Sequence, residues 1–295
     1  MITLIYICIE KRFFQLKIKI TADSTCDLSK ELIEKYNIDV FPLYVVEDGK
    51  SFRDGADISP EDIFDYIEKT DGSVSTAAIN SADYINYFKM MRKDYDAVIH
   101  INISSEFSSC HQNALLAAEE IDGIYPIDSR NLSTGSGHIV MEAAEMAESG
   151  ASPEEIVAAM NELTEKVDAS FIIEKLDYLR RGGRCSALAA LGANLLSLRP
   201  CIEIKDGKMG VGKKYRGTMT KVVEEYVRDR LEGRDDIDTD RIFVTHSPCD
   251  REIIEAVKNA IPKYAEFDEI LETNAGCTVS CHCGPNTIGI LFKRK

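Results

Sequence analysis

From Lys17 to about Val167 the sequence keeps one pattern, short apolar runs separated by segments carrying helix signals, and few folds are open to such a chain. Strands that alternate with helices cross over to parallel neighbours, and the resulting sheet is covered by helices on both faces. KIKIT (17–21), IDVFPLYVV (38–46), DAVIHIN (96–102) and IYPID (124–128) are the strands this predicts, with Pro42 marking an edge or a bulge. Ser29 to Tyr36 reads as a short helix. Ser59-Pro60-Glu61-Asp62 supplies an N-cap, a proline at the first helical position and an acid at the third, so a helix begins there. Ser152-Pro153-Glu154-Glu155 repeats the signal. In sheets of this kind ligands sit beyond the carboxyl ends of the strands. Hydroxyl-bearing loops fall at such turns around Ser24, Thr76 and Ser104-Ser105, and a small-residue loop, Ser133 to Gly137, opens a further helix.

After about Val167 the pattern changes. Phe171, Ile172 and Ile173 read as a buried strand running into a basic, glycine-broken loop, where Gly182-Gly183 permit the backbone to aim Arg180, Arg181 and Arg184 outward. Ser186 to Leu198 carries no charge and reads as a helix that is either buried or lining an apolar cavity. Asp206-Gly207 between strand-like arms is a hairpin signal. A helix (218–232), a strand (241–245), a helix (250–260), a strand (266–272), a loop from Thr278 to Asn286 and a last strand (287–293) follow. The expected architecture is therefore α/β with two domains. A largely parallel N-terminal domain spans 17–168, a smaller mixed C-terminal domain spans 169–295, and residues 1–16 form a tail outside the fold.

Charge is distributed unevenly. Between Lys175 and Lys221 eleven Lys and Arg face three acids, a local +8 in a chain of net −15, which leaves −23 on the rest. Such an island is either a solvated face or a docking surface for an acidic partner or phosphate. The acidic remainder disfavours nonspecific contact with nucleic acid or anionic membrane. No run reaches the roughly 18 apolar residues that a membrane-spanning helix requires. Nine scattered cysteines, an odd number in a chain too long to need disulfides, fit a reducing cytoplasm. Walker-type and dinucleotide fingerprints are missing, as is a Gly-x-Ser-x-Gly elbow. Cys277, Cys281, His282 and Cys283 form one cluster where a zinc site usually pairs two, so no metal or other cofactor is expected. Ser105 with His282 remains available as a nucleophile and base, the constellation of an esterase or other hydrolase.

Asp23-Ser24-Thr25-Cys26-Asp27-Leu28, Ser104-Ser105 with Ser108, Asp128-Ser129, Leu179 to Arg184 (LRRGGR), Arg199-Pro200, Arg216-Gly217 and His282-Cys283-Gly284-Pro285 together resemble the ordered motif set of the DegV family over residues 17–295. The resemblance implies a bacterial fatty acid-binding protein that encloses a long-chain fatty acid between its two domains. It implies no catalysis by the chain itself. A separate dihydroxyacetone kinase-like subunit, the fatty acid kinase, phosphorylates the presented carboxylate to an acyl phosphate. On this resemblance Thr76, Ser105 and His282 would hold the carboxylate, while Arg184 and Arg216 would face the kinase or its phosphate. The chain departs from the family pattern at Thr76-Ala77, Ser108-Ser109-Cys110 and Gly284-Pro285-Asn286, which bears on head-group geometry and on the shape of the acyl chain accepted.

The chemistry is consistent with that implication. Burying an acyl tail is worth about 0.8 kcal/mol per methylene, on the order of 10 kcal/mol for a long one before ordering costs. A buried carboxylate needs donors on both oxygens, and Ser, Thr and His supply them without a fixed charge.

Overall fold

The computed structural model describes residues 16–70, 72–186 and 198–295. In chain order the first half contains β1 (Ile18–Asp23), α1 (Lys30–Lys35), β2 (Asp39–Phe41), β3 (Tyr44–Glu47), β4 (Lys50–Arg53), α2 (Pro60–Thr70) and β5 (Val74–Ala77). It continues with α3 (Ser81–Met91), β6 (Ala97–Asn102), α4 (Cys110–Ala118), β7 (Ile124–Asp128), α5 (Thr134–Glu148) and α6 (Pro153–Thr164). The second half contains β8 (Val167–Ile172), α7 (Leu176–Gly182), β9 (Leu198–Lys205), β10 (Lys208–Arg216), α8 (Met219–Leu231) and β11 (Ile237–His246). It ends with α9 (Arg251–Ala260), β12 (Glu269–Asn274), α10 (Cys277–Cys283) and β13 (Ile288–Arg294).

The fold is α/β, as its patterning predicts. Strands β2-β1-β6-β7 form a sheet in which every neighbour is parallel. All six residues of β6 are buried, His100 and Asn102 among them, which is the position of a strand covered on both faces. The second sheet, β10-β9-β8-β13-β11-β12, is mixed: only β11 and β12 pair in parallel. Helix α5 is the layer between the two sheets, touching β1 and β6 on one side and β8 and β13 on the other. Its small first turn follows from that position, because a Cβ on Gly137 would lie 2.9 Å from the Cys26 carbonyl oxygen. Helices α8 and α9 close the outer face of the mixed sheet around Val223, Tyr226, Val257 and Phe292.

Several local expectations hold. Ser152 and Glu155 form a reciprocal capping box at the start of α6, and Asp206-Gly207 turns β9 into β10 with both residues at positive φ.

Others need correction. The single strand expected over 38–46 is two strands in different sheets, since Pro42 has no N–H to continue the ladder. Leu43 turns its N–H to Ser24 Oγ at 3.0 Å, and β3 then pairs antiparallel with β4 and β5 in a three-stranded sheet that the patterning does not announce. The expected glycine-broken loop after β8 is helix α7, ending at Gly183 in the left-handed region. The expected loop Thr278 to Asn286 is mostly helix α10. The basic island is continuous in sequence but partly paired in space. Lys213 meets Glu225 and Asp229, Arg199 meets Glu174, and Lys208 meets Glu106. The tail at 1–16, apart from its last residue, and the apolar helix expected from Ser186 to Leu198, apart from its two ends, lie outside the described residues.

Candidate functional site

A cavity of about 380 Å³ opens where the loops after β5 and β6 meet α10, the end of α7 and the β10 arm. Leu43, Ile103, Phe107, Leu132, Met209 and Val279 give it an apolar wall, and Thr76, Ser105, Arg184 and His282 lie among its polar groups, together with Glu106, Ser108, Ser109 and Thr278. Four of the five residues singled out in the sequence thus converge from segments more than 200 positions apart. Arg216, the last residue of β10, is exposed, does not line the cavity, and forms no ion pair among the described residues.

His282 occupies the last turn of α10 with Nε2 2.8 Å from Thr76 Oγ1. Its Nδ1 is enclosed and has no hydrogen-bond partner among the described residues. A Cβ on Gly182 would lie 2.2 Å from that nitrogen, so the glycine is what allows α7 to approach the ring. Burial, and then the Arg184 guanidinium, push the imidazole down to about 4, so the ring is neutral near pH 7. With the ring proton on Nε2, His282 donates to Thr76 Oγ1. The Thr76 hydroxyl proton is then free to turn into the cavity.

Ser105 begins the loop after β6. Its hydroxyl donates to Asp128 Oδ2 at 2.6 Å and its N–H to Asp128 Oδ1 at 3.2 Å. The pairing expected of an esterase, Ser105 with His282, does not form: each group is hydrogen-bonded to a different partner. Ser104 is buried and faces away, donating to the Gly207 carbonyl at 2.8 Å and so tying the β9–β10 turn to this loop. Arg184 is exposed at the cavity wall and donates to the Gly182 carbonyl at 2.7 Å.

Among the described residues no group of three or more His, Cys, Asp or Glu is arranged to hold a metal ion. The thiols of Cys277, Cys281 and Cys283 are buried in and around α10, and burial raises all three, Cys281 to about 12. Asn286, where the family motif has glycine, sits at φ 55°. Its side chain accepts from the Asp250 N–H at 2.9 Å and donates to Glu174 at 2.8 Å, so two hydrogen bonds anchor an asparagine in the left-handed region.

Sequence reasoning assigned no role to Asp128, Asp54 or Ser24. Asp128 lies in a motif that stood out only as a match, Ser24 stood out only as part of a hydroxyl-bearing loop, and nothing in the sequence around Asp54 announces that it is buried.

Comparison with known proteins places these features in a group. A family model described as an uncharacterised protein of the DegV family matches residues 17–295. A DegV domain-containing protein from Caldanaerobacter subterraneus subsp. tengcongensis is 32% identical over 282 residues, 95% of this chain and 99% of its own. A protein of Thermotoga maritima named as a fatty acid-binding protein is 32% identical over 282 residues, 93% of this chain and 96% of its own. Among solved structures, a DegV family protein from Thermus thermophilus described by its fatty acid binding matches with a TM-score of 0.86 at 28% identity, covering 95% of this chain and 100% of that one.

Proposed function

The chain belongs to the DegV family, and from that membership we propose that it binds a long-chain fatty acid between two domains meeting near residue 168 and presents the carboxylate to a separate kinase subunit. The observation that carries the reading is the convergence of Thr76, Ser105, His282 and Arg184 on one cavity that also has an apolar wall built by Leu43, Ile103, Phe107, Leu132, Met209 and Val279. Relatives named or described as fatty acid-binding supply the ligand class. The volume of about 380 Å³ lies within the range of pockets that enclose small lipophilic ligands.

In this reading Thr76 donates its hydroxyl proton to one carboxylate oxygen, its orientation fixed by the neutral His282 behind it. Ser105 turns from Asp128 to the other oxygen. The head group is thereby held without a bonded cation, and its oxygens stay available to an incoming phosphoryl group. Arg184 stands at the cavity wall and Arg216 on the outer arm, where both would meet the kinase or its phosphate. The chain supplies no catalyst of its own and works in a reducing cytoplasm.

Protein purified from a bacterial host should release stoichiometric fatty acid on organic extraction, identified by mass spectrometry. Thr76→Ala and His282→Ala should each weaken binding by about 1 to 3 kcal/mol, the cost of leaving part of a buried anion unpaired. Lipid-free extracts together with no binding of added fatty acid would overturn the proposal.

A further inference from the structure

The run Asp23 to Asp27 lines no part of the cavity among the described residues, yet its side chains reach the segments that do. Asp23 accepts from the Ile103 N–H at 2.8 Å, immediately before the Ser104-Ser105 loop. Ser24 accepts from the Leu43 N–H and donates to Asp54 Oδ2 at 2.9 Å. The strongest convergence is on α10. The amides of its cap residue and of its first two residues rest on two buried aspartates contributed by distant parts of the chain. Asp27 Oδ1 accepts from the Gly276 N–H at 2.8 Å, Asp54 Oδ1 from Cys277 at 2.7 Å, and Asp54 Oδ2 from Thr278 at 3.1 Å.

A helix this short does not persist on its own sequence; isolated helices below about 12 residues are marginal in water. Its placement therefore comes from tertiary anchors. The anchoring space is tight, since a Cβ on Gly276 would lie 3.2 Å from an oxygen of each aspartate. At the other end of α10, His282 is confined between Thr76 and Gly182, where a small shift of the helix would break the 2.8 Å contact.

We propose that Asp54, assisted by Asp27, is the positioning residue of the head-group site: it fixes α10 by its leading amides and so holds His282 Nε2 on Thr76. Asp54 acts at a distance and touches no ligand. The inference rests on the fatty acid reading for its consequence, not for its geometry.

The test compares hexadecanoic acid with hexadecan-1-ol, which share a tail and differ in the head, by displacement of a fluorescent fatty acid. Asp54→Asn should weaken the acid about tenfold and the alcohol less than twofold. In an His282→Ala background the same change should add less than twofold, because Asp54 acts through that ring. Ser24→Ala removes one of the bonds to Asp54 and should give a two- to fivefold loss of the same kind; it carries the test if Asp54→Asn does not fold. Equal losses for acid and alcohol, or effects that multiply with His282→Ala, would show a general structural role and overturn the proposal. Imidazole ¹⁵N shifts of His282 in ligand-free protein separate this inference from the fatty acid reading. They should move in Asp54→Asn or Ser24→Ala even if the parent binds neither ligand, and unchanged shifts in both variants would refute the positioning role.

Discussion

A methyl group on Gly182 would come within 2.2 Å of His282 Nδ1, and a ring nitrogen in a packed site has little room to retreat. Helix propensity alone favours alanine over glycine by about 1 kcal/mol, so Gly182→Ala near the end of α7 would ordinarily be neutral or stabilising. Here the ring must turn off Thr76, so fatty acid affinity should fall about tenfold and the melting temperature should fall despite the gain in propensity; a variant that binds like the parent would mean that the ring has room to spare. Thr76, Ser105, His282 and Arg184 stand out in the sequence because they are polar groups in matched motifs. Gly182 lies in a matched motif too, but its chemistry announces only flexibility, because the close approach that gives it meaning is a contact with a residue 100 positions later.

At the scale of elements, α5 is joined to β13 by His138, whose Nε2–H donates to the Leu291 carbonyl at 3.0 Å. Burial pushes this imidazole from 6.5 down to about 3, so it stays neutral in the folded protein where the unfolded chain would be protonated. A depressed histidine contributes stability that is complete above pH 6.5 and is lost as pH falls toward 3. His138→Gln removes that dependence. Between pH 7 and pH 5 its unfolding free energy should drop by about 2 kcal/mol less than the parent's, as measured by urea denaturation at both values. An identical pH slope would place the ring's proton in both states alike. The elements that were legible in sequence carry their own local signals, such as the Ser152 capping box on α6 and the Asp206-Gly207 turn. Helix α10 was not legible: Cys277 to Cys283 contains residues of modest helix propensity, and its anchors, Asp27 and Asp54, lie more than 220 positions away. Strands β4 and β5 were missed for a related reason, being only four residues each and without a fully buried residue between them.

Over the whole molecule, the sequence shows a basic island, whereas the structure redistributes it by pairing Lys213, Arg199 and Lys208 with acids and leaving Arg184 and Arg216 exposed. Only Arg184 borders the cavity, so the two arginines should behave differently. Arg216→Glu should slow acyl phosphate formation with a cognate kinase subunit about tenfold, with an altered salt dependence and unchanged lipid affinity, as expected for a steering charge. Arg184→Glu should lower both kinase turnover and lipid affinity. Equal behaviour of the two variants would remove the distinction that the geometry draws. The position of β13 has a consequence for how the chain reaches this state. It lies between β8 and β11 in the middle of its sheet, although it is made after both. Until it inserts, those strands have unpaired edges toward each other, and α5 lacks one of its covering walls. The contact between Thr76 and His282 likewise spans 206 residues. Long-range pairings of this kind impose a large loop-closure entropy before they return any energy, and they slow folding. During synthesis the parallel sheet can form early, but the cavity that Thr76 and His282 line closes only when nearly the entire chain has left the ribosome.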